Sequence, residues 1–275
     1  MTRRIRIRDP RLRVALVTGA CSGIGRAFAE RLASLGFELV VVSNRPEPLA
    51  ATARELAAVH GVKVHELVSD LSRPEAAAEL HAAVAARGLT VDVLISNAGC
   101  FFFGETVDVP PERAQAMLGL HVVTPSLLLA RFGRDMRERG YGQLLVVASI
   151  SAWRDFPGIS HYGASKRYLR GFCCSLRSEL GVYGVNVTCL SPGPTATGLF
   201  DPDTAATRLG KQLGLFAEPA AVADAGLRAL FAGRAEVIPG LLNRFMAWGA
   251  ALTPQWLIDL IRRRAPWLPP RGARA

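Results

Sequence analysis

The sequence predicts an α/β protein built on one doubly wound parallel sheet with helices on both faces. Three observations carry this. Short runs rich in β-branched residues alternate with helical stretches along the chain, and the turns between them are short. The 275 residues are 50% hydrophobic, enough to cover a sheet on both sides. Strict β-α-β alternation implies right-handed crossovers, and hence parallel strands.

In chain order, strands are expected at 13–18 (RVALVT), 38–43 (ELVVVS), 63–68 (KVHELV) and 91–96 (VDVLIS). Three more follow at 143–148 (QLLVVA), 185–190 (VNVTCL) and, more weakly patterned, 236–238. Each is a short apolar run with β-branched residues between turn formers. Helical periodicity fills 25–35, 47–59, 74–86, 111–139, 163–181 and 219–232. No internal repeat or low-complexity linker divides the chain. Residues 1–275 are therefore expected to form a single domain, with a basic arm at 1–12 and an amphipathic extension at 241–275. The segment 192–216 has no clear period and follows a strand at its carboxyl end, where open α/β sheets bind ligands. It is expected to cover substrate.

The net charge of +10 is uneven: Arg3, Arg4, Arg6, Arg8, Arg11 and Arg13 crowd one end, and Arg262, Arg263 and Arg264 lie near the other. The N-terminal stretch has no aromatic residue to stack on bases, so no nucleic-acid partner is expected. A solubilising arm in an arginine-preferring chain (30 Arg against 3 Lys) and attraction to an anionic membrane both remain open. Cys21, Cys100, Cys173, Cys174 and Cys189 have no metal or CxxC spacing. Reduced thiols in a cytoplasmic compartment are expected, and no metal. No stretch reads as a spanning helix, so the chain is expected to be soluble or at most peripheral.

The first strand runs into Thr18-Gly19-Ala20-Cys21-Ser22-Gly23-Ile24-Gly25, where a helix begins. Glycines allow a sharp turn and close approach to a pyrophosphate, and the helix start supplies N–H groups. This Rossmann-type turn predicts cofactor contacts from Thr18, Gly19, Ser22, Gly23, Ile24 and Gly25. At the second strand end, Asn44 and Arg45 stand where an acid would accept a ribose hydrogen bond and repel a 2′-phosphate. Arg45 can instead pair with that phosphate, so NADP(H) is expected over NAD(H). Asp70 and Leu71 close the third strand and Asn97, Ala98 and Gly99 the fourth, adding adenine-side and close-packing positions.

Tyr162 and Lys166 are spaced i, i+4 at a helix start, and Ser149 ends the fifth strand. A tyrosine of pKa ~10 is a poor acid–base group near neutrality, and a nearby ammonium is expected to lower it. A hydroxyl such as Ser149 can hold a substrate carbonyl as charge develops.

With these motifs in this order, the chain resembles the short-chain dehydrogenases/reductases from about residue 12 to about residue 240. The resemblance implies Tyr162 as acid/base, Lys166 also holding the nicotinamide ribose, and Ser149 orienting substrate. It further implies that Pro192, Gly193, Thr195 and Thr197, in SPGPTAT, border the nicotinamide end. One position departs from the family: His121 stands where an asparagine usually supports a proton relay. A packed histidine, a titrating imidazole and a backbone role all remain open. The backbone role is favoured, because Pro125 has no N–H for the His121 carbonyl.

In the extension, QWLIDLIRRR has amphipathic spacing, and Trp248, Trp256 and Trp267 punctuate it. It can pack on its own domain, on a partner subunit of a homo-oligomer, or on a membrane surface. With Phe101, Phe102 and Phe103 expected near the pocket mouth, the leading substrate is a lipophilic ketone such as a 3-oxoacyl or 3-keto lipid. A steroid- or polyketide-type ketone is second. A noncatalytic NADP(H)-binding redox sensor is the competing class.

Overall fold

The computed structural model describes residues 5, 7, 9–198 and 216–264. Seven parallel strands form one sheet in the order β3-β2-β1-β4-β5-β6-β7. They are β1 (Val14–Thr18), β2 (Glu38–Ser43), β3 (Val64–Val68), β4 (Val93–Ser96), β5 (Gly142–Val147), β6 (Val185–Leu190) and β7 (Glu236–Val237). The order reverses between β1 and β4, so a crevice opens at their carboxyl ends. Helices α1 (Gly23–Ser34), α2 (Pro46–His60), α3 (Ala76–Ala85), α4 (Pro111–Leu118), α5 (Thr124–Arg139), α6 (Ser160–Gly181) and α7 (Pro219–Phe231) connect the strands. The extension adds α8 (Leu241–Leu252) and α9 (Gln255–Arg264).

Alternation along each strand feeds two cores. Ala15, Val17, Leu39 and Val41 pack with Phe28, Leu32 and Leu227 on one face. Leu16, Val40, Leu94 and Leu144 pack with Leu80, Leu129, Phe132 and Leu176 on the other. Burial on both faces explains the continuous apolar strands.

Two expectations change. The run expected as one helix at 111–139 is helical throughout, but Gly119–Val123 is a π turn between α4 and α5. The basic arm is anchored: Ile5 and Leu12 are buried in the core, Ile7 packs against it, and Arg11 lies 4.2 Å from the Tyr141 ring centroid. Arginines 3, 4, 6 and 8 lie outside the described residues.

One buried acid holds the start of β1. Asp92 Oδ2 accepts the N–H groups of Arg13 (2.8 Å) and Val14 (3.0 Å) at the strand start. Asp92→Ala leaves both donors without this acceptor. It is expected to lower unfolding free energy by about 2–4 kcal/mol, read as a shifted urea midpoint at unchanged slope.

Candidate active site

The carboxyl ends of β1, β2, β4, β5 and β6 border a cleft of about 630 Å³. The sequence-predicted residues Gly19, Ser22, Gly23, Ile24, Asn44, Arg45, Asp70 and Leu71 line one part of it. Asn97, Ala98, Gly99, Ser149, Tyr162, Lys166, Pro192, Gly193, Thr195 and Thr197 line the rest. Thr18, Gly25 and His121 are not in this lining and stand behind it.

Thr18 is a staple. Its buried Oγ1 accepts the N–H groups of Asn97 (2.9 Å) and Ala98 (3.0 Å), while Asn97 Nδ2 donates to the Thr18 carbonyl at 3.0 Å. The ends of β1 and β4 are thereby locked side by side. Gly25 serves approach: a Cβ there would fall 2.1 Å from the Gly19 carbonyl oxygen, so only glycine lets α1 start against the turn.

The first turn of α1 carries no acid, and Ser22 makes no side-chain cap bond, so helix-start N–H groups remain for an anion. Above them Arg45 Nη2 donates to Ser22 Oγ at 3.3 Å. Asp70 accepts from the backbone (3.0 Å) and hydroxyl (2.7 Å) of Ser72, bonds that hold its carboxyl below the usual range. A helix start with a glycine cradle below fits a dinucleotide diphosphate.

At the other end, Lys166 is buried and its Nζ donates to the Val147 carbonyl at 3.0 Å. Burial lowers its pKa to about 8. Its Nζ lies 5.6 Å from the Tyr162 ring centroid. Tyr162 corrects the sequence reading. Burial pushes its phenol up, and the opposing hydrogen bond comes from Ser149 rather than from the Lys166 charge. Ser149 Oγ also accepts the Ser151 N–H at 3.1 Å, which fixes the serine at the cleft floor.

His121 is fully buried, and both ring nitrogens are engaged. Nε2 accepts the Cys100 N–H at 2.9 Å, which leaves the ring proton on Nδ1. Nδ1–H then points at Ser165 Oγ (3.0 Å), whose hydroxyl donates to the Tyr162 carbonyl at 2.8 Å. Burial, then the Lys166 charge, holds its pKa well below the usual value, so the ring is neutral. The Thr124 N–H reaches back to Gly119, and Pro125 has no N–H to offer Leu120 or His121.

Sequence reasoning missed several wall residues: Cys100, Leu120, Ile150, Ser151 and Ile159. They flank the motifs but carry no pattern of their own. The phenylalanine triplet divides: Phe101 lines the cleft, Phe102 is buried with Val109 and Met117, and Phe103 packs against Gly158. Of the expected covering loop, residues 192–195, 197 and 198 line the cleft, and 199–215 lie outside the described residues. Asn243 of α8 was also unforeseen; a Cβ on Gly193 would strike its Oδ1 at 2.2 Å.

Lys166 is one of three lysines, so its titration can be resolved. In the cofactor-free protein its 13C-lysine NMR midpoint is expected near 8. The ammonium therefore persists at neutral pH and is lost as pH rises through 8. A Lys166 midpoint at the ordinary lysine value of ~10.4 would contradict the burial argument.

Comparison with known proteins agrees with this geometry. The sequence profile described as "short chain dehydrogenase" matches residues 13–207. Bovine dehydrogenase/reductase SDR family member 4 is 36% identical over 182 residues, 66% of this chain and 65% of its own length. The structure of a short-chain dehydrogenase from Sphingobium yanoikuyae in complex with NADPH is 28% identical, with a TM-score of 0.76, covering 90% of this chain and 95% of that one. A 7β-hydroxysteroid dehydrogenase structure is 27% identical, with a TM-score of 0.82, covering 91% and 96%. The cleft ends in serine, tyrosine and lysine on a sheet of this order, and the chain belongs to the short-chain dehydrogenases/reductases, NAD(P)-dependent oxidoreductases acting on CH–OH and C=O groups.

Proposed function

We propose that this chain reduces a lipophilic ketone to a secondary alcohol with NADPH, in the cytoplasm. The observation that carries the reading is the pairing of two cleft ends: Arg45 over the helix start at one, and Ser149, Tyr162 and Lys166 at the other. NADPH, when bound, supplies the hydride. Thr18 holds the two strand ends that form the nucleotide floor, and Arg45 offers a forked cation to the 2′-phosphate in place of an acid. Ser149 holds the carbonyl oxygen, and Tyr162, kept protonated by burial, donates the proton as that oxygen gains charge. Lys166 stabilises the phenolate left behind.

Leu120, Phe101, Ile150 and Ile159 give the wall apolar character, which supports a 3-oxoacyl or 3-keto lipid. A steroid-type ketone is the second reading, favoured by the likeness to the 7β-hydroxysteroid dehydrogenase. Five free thiols suit a cytoplasmic location. A homo-oligomer is supported by exposed Leu118, Val123 and Leu127 beside Tyr168.

Following NADPH oxidation with a ketone panel separates this reading from a noncatalytic redox sensor, which would bind without turnover. Arg45→Ala is expected to weaken NADPH about 10- to 100-fold and leave NADH nearly unchanged. Tyr162→Phe is expected to lower kcat by about 10²–10⁴ with NADPH binding retained. Equal binding of NADH and NADPH by the unaltered protein would count against the cofactor assignment.

His121 is assigned a positioning role, holding the Cys100 backbone to the Ser165–Tyr162 turn. His121→Asn, which keeps one acceptor and one donor, is expected to stay within a few-fold. His121→Ala is expected to raise the KM for NADPH and lower kcat together, with no change in the shape of the pH–rate profile. A wild-type titration near pH 6–7 that vanishes in the Asn variant would show a proton relay instead.

A further inference from the structure

The extension presents a surface that the fold leaves uncovered. On α8, Asn243 and Ala247 face inward, while Leu241 (70% exposed), Phe245 (67%), Trp248 (55%) and Leu252 (84%) form one outward stripe. Their i, i+4, i+7, i+11 spacing is the pattern of a helix face meant for an apolar contact. Helix α9 continues it: Ile258 is buried, and Trp256, Leu260 and Ile261 are exposed.

The rim of this face is cationic. Arg244, Arg263 and Arg264 are exposed, and among the described residues no acid pairs with them. Asp259 is the one acid in α8 and α9, and it accepts from Gln255 Nε2 at 3.0 Å. The same helices are tied to the cleft mouth. Arg262 pairs with Glu105, four residues after the cleft-lining Phe101, and Arg154 Nη2 donates to Gln255 Oε1 at 3.0 Å, three residues after the cleft-lining Ser151.

We propose that α8 and α9 form a docking face for an anionic lipid surface, set beside the cleft mouth. Exposed tryptophan and phenylalanine suit the interfacial layer, and the arginine rim is complementary to acidic headgroups. A second copy fits less well. A twofold contact sets the same patch against itself, and this patch would bring cation against cation with one acid to relieve them. Docking presents the mouth to a bilayer, where a lipophilic ketone partitions; that use rests on the substrate reading above, whereas docking itself does not.

The test uses the full chain with phosphatidylcholine vesicles, with and without phosphatidylglycerol, at low and high salt. Binding is expected only to the anionic vesicles, with a blue shift of tryptophan fluorescence, and is expected to fall as salt screens it. Arg263→Ala with Arg264→Ala is expected to weaken binding about thirty-fold. Phe245→Ser with Trp248→Ser is expected to abolish it. Both double variants should keep the solution mass and the rate on a small water-soluble ketone. Absence of binding to anionic vesicles at low salt would overturn the proposal. A halved mass in Phe245→Ser/Trp248→Ser would also overturn it and identify a second copy as the occupant. Ketone activity is measured without vesicles, so a failure of docking and a failure of the reductase reading give different results.

Discussion

One buried charge organises the reactive end of the molecule. The Lys166 ammonium is buried at the cleft wall and donates to the Val147 carbonyl at 3.0 Å. A charge in that position is costly unless its surroundings are arranged for it. The groups around it follow. His121 is neutral because burial and the same ammonium both oppose a second proton. The Cys100 thiol is pushed up by burial, with Lys166 pulling the other way. Tyr162 stays a phenol, the form with a proton to give. Lys166 thus sits as a cation among neutral groups, the arrangement on which the proposed proton transfer from Tyr162 rests.

That charge is useful only if the sheet delivers its neighbours to the right place. Val147 ends β5, Thr18 ends β1, and the Asn97 turn leaves β4. The Thr18 hydroxyl joins the β1 and β4 ends, and Lys166 reaches the carbonyl of Val147 in the next strand. Position therefore comes from strand order, and chemistry from side chains at the strand tips. This division explains why the wall residues between motifs can be apolar and unpatterned.

The strands were legible because burial on both faces writes itself as continuous apolar runs. Glu38–Ser43 and Val185–Leu190 are strands over the residues their periodicity marked, and other boundaries move by one to three residues. The nucleotide motifs were legible because glycine is required where backbone approaches backbone, as at Gly25. What escaped was set by tertiary contact. Thr18 reads as a ligand contact in sequence, yet its hydroxyl is consumed inside the protein. Three adjacent phenylalanines share one pattern and face three surroundings. The direction of the Tyr162 shift depends on enclosure, which spacing does not encode.

The departure at His121 is intelligible as local packing. An imidazole carries its two nitrogens on opposite sides of a ring, so it reaches from the Cys100 N–H to Ser165 Oγ. Room for the ring comes from two places. Gly99 has no side chain where a Cβ would lie 3.0 Å from Nε2, and the helix opens into a π turn over Gly119–Val123. Pro125 favours that turn by withholding the N–H that an α-helix would use. The proline was readable as a break, and the structure shows that break as a π turn. Histidine, glycine and proline, far apart in sequence meaning, therefore act as one fitted group behind the cleft wall.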